Sequence, residues 1–365
     1  MRRAVYLRPV GAFPTPAEGD AEASRQSWRG LPLAGSRFSF SAVEIIERTG
    51  AGIARQTVAL GDVFERDWAR HTLAASDLVA ALSQPRPRLA GLTLDRPRIM
   101  GIVNVTPDSF SDGGKLASTE AAVDHALRLA DAGADILDIG GESTRPGSDA
   151  VALEEELRRV IPVIEILRGR TEKLISIDTR KAEVMKRAAE AGADILNDVS
   201  ALTHDPDAME AAADSGLPVM LMHAQGDPKT MNDNPQYSDV VLDVFDFLER
   251  RIRACEQAGI PRAKIVADPG IGFGKHLHHN VAVMAGLSLY HGLGVPILLG
   301  ASRKKMIGQL CDVPEPKDRV PGSLATVLAG AAQGVQLFRV HDVAATRQAL
   351  MVWLASVTGT EKGLA

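Results

Sequence analysis

The sequence predicts an α/β fold, a (β/α)8 barrel (TIM barrel) preceded by a small N-terminal extension of uncertain fold. Three observations lead there. From Arg98 onward, short apolar runs alternate with amphipathic stretches, the pattern of parallel strands joined by helices. Eight such pairs fit in about 260 residues, the size of a closed barrel, whereas an open doubly wound sheet more often stops at about five to seven strands. Nearly every apolar run also ends in a polar residue, as in barrels that bind their ligands at the C-terminal strand ends.

The strand candidates are Ile99–Val105, Ile136–Gly140, Leu174–Asp178, Ile195–Val199, Pro218–His223, Lys264–Asp268, Pro296–Gly300 and Leu337–His341. Helical periodicity fills the gaps, for example over Thr119–Ala132, Leu153–Leu167, Lys181–Ala191 and Ser238–Ala258. Pro314 and Pro316 interrupt the seventh helical region, which predicts a short helix, a loop over Asp312–Val320 and a longer helix from near Gly322. Gly-Ala-Asp recurs at Gly133 and Gly192, as helix C-caps before strands two and four. Residues 1–95 form the extension and 96–360 the barrel. The extension reads as irregular, with a strand around Arg37–Phe40, a helix over Glu65–Leu82 and a linker at Gln84-Pro85-Arg86-Pro87-Arg88. A chain starting near Arg88 is expected to keep activity.

A net charge of -5 provides no basic field for a nucleic-acid backbone, so any anion must be held by a local cluster. The two cysteines, Cys255 and Cys311, fall in helical segments and read as buried thiols of a reducing compartment. Pro9, Pro14 and Pro16 break up the N-terminus before any secretory apolar region, and no run approaches the roughly 18 apolar residues of a membrane span. The expectation is a cytoplasmic protein with small-molecule substrates, no nucleic acid and no membrane.

At the strand ends stand Asn104, Asp178, Asn197, His223, Asp268, Lys304, Arg339 and His341. Each has a structural alternative: Asp178 can cap the next helix, Asn197-Asp198 can be a turn, and His223 can be a packed histidine. Together they predict a deep pocket with many hydrogen-bonding walls. Ser302-Arg303-Lys304-Lys305 and Arg339-Val340-His341 concentrate cations where such barrels bind phosphate, although Arg303–Lys305 can also be a solvated charge run. Asn104 to Gly114 and Gly140 to Gly147 are long, glycine-ended loops that suit lids and can also be simple exposed loops. Gly270–Lys275 is not a nucleotide loop, because three residues separate Gly270 from Gly274-Lys275 and His276 occupies the Ser/Thr position. Its glycines let backbone approach a flat ligand, with Phe273 as a face. His276, His278 and His279 read as an exposed helix start in preference to a metal site.

Five motifs, in order, resemble the dihydropteroate synthase family: Ile99–Gly114, Glu142–Gly147, Asp268–Lys275, Gly300–Lys304 and Arg339–Asp342. The resemblance covers about 98 to 355. It implies a transferase of folate biosynthesis, a sulfonamide target, that joins p-aminobenzoate to 6-hydroxymethyl-7,8-dihydropterin diphosphate. It places the pterin at Asp178, Asn197, Met222, Asp268 and Lys304, and the diphosphate at Asn104, Arg339 and His341, with Mg2+ near Asn104. It places p-aminobenzoate at Thr144, Pro146, Gly272, Phe273 and Ser302, closed by lids bearing Asp112 and Arg145. Asp112, Arg145, Lys304, Arg339 and His341 would act in catalysis, and a homodimer built from outer helices is implied. Lys304→Ala and Arg339→Ala would lose activity while remaining folded. Lys305 and the extension depart from the family pattern. The rival readings are a methyltetrahydrofolate-dependent corrinoid methyltransferase, which leaves the cation cluster unexplained, and a non-catalytic pterin-binding paralogue.

Overall fold

The computed structural model describes residues 4–15, 30–66, 68, 74–105, 114–143, 150–226, 231 and 233–360, with backbone alone for 114–118. Among its described residues the extension has two small antiparallel sheets and two helices. β1 (Val5–Val10) pairs with β5 (Ala42–Thr49), which pairs with β6 (Gly52–Ala59). β2 (Phe13–Pro14), β3 (Leu31–Pro32) and β4 (Phe38–Phe40) form the second sheet. The expected strand near Phe40 is therefore present, but the irregular remainder is mostly sheet. β6 escaped notice because it is an edge strand exposed along nearly its whole length, so no period-2 burial shapes its sequence. The single helix expected over Glu65–Leu82 is replaced by α1 (Leu60–Glu65) and α2 (Ala75–Ser83), with Arg66 and Ala74 extended between them.

The barrel follows with β7 (Arg98–Asn104), α3 (Gly114–Asp131), β8 (Ile136–Gly140), α4 (Leu153–Arg168), β9 (Leu174–Asp178) and α5 (Ala182–Glu190). Next come β10 (Ile195–Asp198), α6 (Ala208–Ser215), β11 (Val219–Met222), α7 (Val240–Gln257), β12 (Ile265–Asp268) and α8 (Leu277–Ala285). A 3-10 segment, Leu287–Leu293, precedes β13 (Leu298–Leu299), α9 (Lys305–Cys311), α10 (Val320–Ala331), β14 (Leu337–Val340) and α11 (Val343–Thr358). The eight strands are parallel, in the order β12-β11-β10-β9-β8-β7-β14-β13, and an Ala267–Ile297 bridge joins the two ends. The fold is thus a (β/α)8 barrel, and its strands agree with the expected runs within one or two residues.

Strand alternation explains the two faces of the barrel wall. Leu137, Ile139, Ile175 and Ile177 point outward under the helices. Met100, Ile136, Ile195, Met220, Val266, Leu298 and Leu337 point inward and pack as one layer, plugged from the N-terminal side by Leu89 and Leu94. Further along the same inward faces the residues turn polar, so the site sits directly on the apolar floor. The two Gly-Ala-Asp units do mark helix ends, with Gly133 and Gly192 at φ +104° and +103°. Their aspartates add a second function: Asp135 accepts the Ile99 N–H at 2.9 Å and Asp194 the Ile175 N–H at 2.8 Å, tying down the starts of β7 and β9.

Cys255 is buried as expected, but Cys311 is exposed at the end of α9. The proline-rich stretch is also not a free linker. Arg86 donates to the carbonyls of Ala81 and His291 at 2.8 and 3.0 Å.

The extension lies against α7, Leu287–Leu293 and α11. Tyr6 packs edge-on to Phe245 at 5.2 Å and donates its hydroxyl to Asp246 at 2.8 Å; Arg48 donates to Tyr6 and to Asp246. Phe38 stacks on Trp353, with Leu354 buried beside it. Removing residues 1–87 would uncover Phe245 and Leu354, at about 1.5–3 kcal/mol each, and leave buried Asp246 without its Tyr6 and Arg48 donors. The shortened chain, whose activity is expected to persist, should melt on the order of 10 °C lower, as a thermal denaturation series would show.

Candidate active site

Alternate residues of the strands carry the site. Asp138 of β8, Asp178 at the end of β9, Asn197 in β10, Met222 ending β11 and Asp268 ending β12 are all buried. Arg339 of β14 reaches across the barrel, its Nε donating to Asp138 Oδ2 at 2.6 Å and its Nη2 to Asp178 Oδ2 at 2.7 Å. Asn197 Nδ2 lies 3.3 Å from the same Asp138 oxygen. Asp178 therefore does not cap α5, whose N-cap is Lys181. In the Asn197-Asp198 pair the roles divide: Asp198 folds the turn by accepting from Ser200 and Leu202 backbone N–H, while Asn197 faces the barrel.

Asp138 was not singled out from sequence. Its signal is a carboxylate set between Leu137 and Ile139 in an otherwise apolar strand, a placement that demands a buried partner.

The electrostatics follow from burial. Burial and repulsion from Asp138 raise the Asp178 carboxyl above its ordinary range, against the pull of Arg339. Burial pushes Asp268 up to about 6, opposed by the Gly270 N–H at 2.7 Å and by the charges of Lys304 and Lys275. The two carboxylates bind an Arg and a backbone amide without being saturated, so each can accept donors from a ligand.

The cation side is built on the loops after β13 and β14. Lys304 places Nζ 4.0 Å from the centre of the Phe273 ring, and Gly272 lies beside the same lysine. Ser302 Oγ and His341 Nδ1 are 3.0 Å apart. Arg303 turns away, at φ +58°, to a bidentate pair with Asp342. Of the four expected cations at this rim, Lys304 and Arg339 line the site, Arg303 braces it, and Lys305 is exposed at the start of α9. Asn104 ends β7 opposite Gly140, its Oδ1 and the Asp178 carboxylate flanking the space where a Gly140 side chain would grow. Asp112, Thr144, Arg145 and Pro146 lie outside the described residues.

His223 is a packed histidine: it meets Phe247 edge-on at 4.8 Å and contacts Lys275, and burial with the Lys275 charge keeps its ring neutral. The three histidines open α8, where His279 Nδ1 accepts the His276 N–H at 3.2 Å. Among the described residues no group of His, Cys, Asp or Glu is arranged to hold a metal ion by itself, and no helix is long and apolar enough to cross a membrane.

An inward ring of amide, carboxylates and one arginine over an apolar floor defines a barrel with a polar site at the C-terminal ends of its strands. Residues 100–341 match the family of pterin binding enzymes. The chain is 51% identical over 270 residues to dihydropteroate synthase of Escherichia coli strain K12, covering 74% of this chain and 95% of that one. Two solved structures of Xanthomonas albilineans dihydropteroate synthase are similar. One, with 4-aminobenzoic acid, is 56% identical at a TM-score of 0.70; the other, in complex with 7,8-dihydropteroate, is 53% identical at 0.68; each match covers 74% of this chain and 98% of that one. The chain belongs to the dihydropteroate synthase family.

Proposed function

We propose that this chain condenses p-aminobenzoate with 6-hydroxymethyl-7,8-dihydropterin diphosphate, giving 7,8-dihydropteroate and diphosphate. The observation that carries this reading is the Asp138–Arg339–Asp178 bridge set beside Asn197, Asp268 and Lys304 in a barrel of this family. Asp178, Asn197 and Asp268 suit the amino and ring N–H edge of the pterin, Lys304 its carbonyl, and Met222 one apolar face. Gly272, Phe273 and Ser302 would contact p-aminobenzoate together with Thr144 and Pro146, and Asp112 and Arg145 would act in catalysis there.

The arylamine nitrogen forms a bond to the pterin methylene carbon. The C–O bond to diphosphate breaks with its electron pair on oxygen, and the amine proton leaves to solvent. No protein nucleophile is required. Asn104, Arg339 and His341 hold the leaving diphosphate and favour the charge that develops on it, while Lys304 and Phe273 keep the amine in line. Asn104 would offer a Mg2+ one hard amide oxygen, the kind of donor that ion takes. When bound, Mg2+ would supply further neutralisation of the leaving group. A cytoplasmic homodimer built from outer helices, with residues 1–95 as extension and 96–360 as barrel, completes the proposal. Sulfonamides, which mimic the arylamine, would compete at the same contacts.

Diphosphate release should require both substrates and fall at least about tenfold when magnesium is chelated. Pterin binding without p-aminobenzoate-dependent release would reject the reaction in favour of a pterin-binding function.

A further inference from the structure

Lys275 has no role in the reaction above, yet it is one of the most enclosed cations in the molecule, 4% exposed. Its Nζ lies 2.8 Å from His223 Nδ1, 2.8 Å from the Gly270 carbonyl and 3.1 Å from the Phe273 carbonyl, with the His223 carbonyl at 3.4 Å. Its partners are thus a ring nitrogen and carbonyls, and the carboxylate whose charge acts on it is Asp268. Burial lowers the Lys275 pKa to about 7, and in either protonation state its amine fills the inside of the 268–275 loop, where its N–H donors satisfy carbonyls that the tight turn points inward. The loop is also pressed backbone to backbone on the segment after β11. A side chain at Gly270 would meet the His223 carbonyl at 1.9 Å, and one at Gly274 the Gln225 carbonyl at 2.4 Å. Tyr237 donates to the Gly274 carbonyl at 2.7 Å, and Asn280 accepts the Gly272 N–H at 2.7 Å.

The residue whose carbonyl Lys275 holds is the residue whose ring meets Lys304. We propose that Lys275 is a positioning residue for the arylamine wall: anchored on His223, it fixes the backbone of Gly270–Phe273 so that the Phe273 ring stands under Lys304. The proposal rests on the reading of Gly272 and Phe273 as p-aminobenzoate contacts. It predicts a larger effect on p-aminobenzoate than on the pterin, because Asp178, Asn197 and Arg339 are held by other strands, and only Asp268, which takes the Gly270 N–H of this loop and feels the Lys275 charge, links the pterin site to it.

The test uses the full chain with Lys275→Met, Phe273→Ala, the double variant and His223→Phe, the last keeping an aromatic edge against Phe247. With pterin diphosphate saturating, Lys275→Met should raise KM for p-aminobenzoate at least about tenfold, while pterin diphosphate affinity measured by calorimetry changes less than about threefold. The double variant should be no worse than the worse single variant, since both remove one device. His223→Phe should give a smaller rise in the same direction. An unchanged KM in Lys275→Met, an equal loss of pterin affinity, or multiplying effects in the double variant would overturn the proposal. Should Lys275→Met not fold, an unchanged KM in His223→Phe overturns it instead. Absence of turnover in the unaltered chain would strike the reaction itself. The loop is then read by thermolysin cleavage at Ile271 or Phe273, which His223→Phe and Lys275→Met should speed and which, if unchanged, rejects the proposal.

Discussion

Replacing Asp268 with Asn is expected to cost at least about 100-fold in kcat/KM for the pterin substrate while leaving the folded protein as stable as before, or more so. The carboxylate can accept two N–H donors from one edge of a heterocycle, whereas an amide must turn one donor toward a donor. The same ionised group burdens the fold. Burial raises its pKa from 3.8 to about 6, so between those values the folded state holds more protons than the unfolded state. Stability from this group is therefore greatest below about pH 4 and declines as pH rises to about 6, where the full cost of a buried charge is reached. Asn carries no such cost and keeps the acceptor for the Gly270 N–H. Thermal melts at pH 5 and pH 8 should show the variant gaining on the parent at the higher pH, and the parent's kcat/KM should fall through an acid limb near 6 that the variant lacks. Retained pterin affinity in Asp268→Asn would remove Asp268 from the site.

Arg339→Ala should lose nearly all turnover and also melt well below the parent. The sequence treats Arg339 and Lys304 alike, as rim cations whose loss spares the fold. The structure separates them. Arg339 bridges Asp138, which is fully buried, and Asp178, so its removal leaves two carboxylates together without a cation, at a cost of about 3–5 kcal/mol. Lys304 is half-buried against an aromatic face, and Lys304→Ala should lose activity with little change in Tm. Adding Asp138→Asn to Arg339→Ala should recover part of the melting temperature and none of the turnover, because it relieves repulsion without restoring charge opposite the diphosphate. Normal turnover in Arg339→Ala, or an unchanged Tm, would refute the bridge as described.

Much of this was legible before the structure because it is local. Parallel strands buried on both faces read as short continuous apolar runs, and the helices between them as a 3.6-residue period, so the eight runs are visible whatever surrounds them. A polar residue closing a run is likewise visible in place, which is why Asp178, Asn197, Asp268 and Arg339 could be named from sequence. β6 could not, since a strand exposed on both faces carries no burial pattern.

What the sequence by itself determined was the barrel, its polar rim and the chemistry of the residues there. Only the tertiary structure decided which of them pair. Arg339 meets Asp138 across 201 positions, Lys275 meets His223 across 52, and Tyr6 meets Asp246 across 240. Those pairings give a rim cation a structural role, a look-alike nucleotide lysine a set of loop carbonyls to hold, and an irregular extension a contact on α7. The reason is physical: hydrophobic periodicity is a property of neighbours in the chain, whereas the partner of a buried charge is set by closure of the barrel.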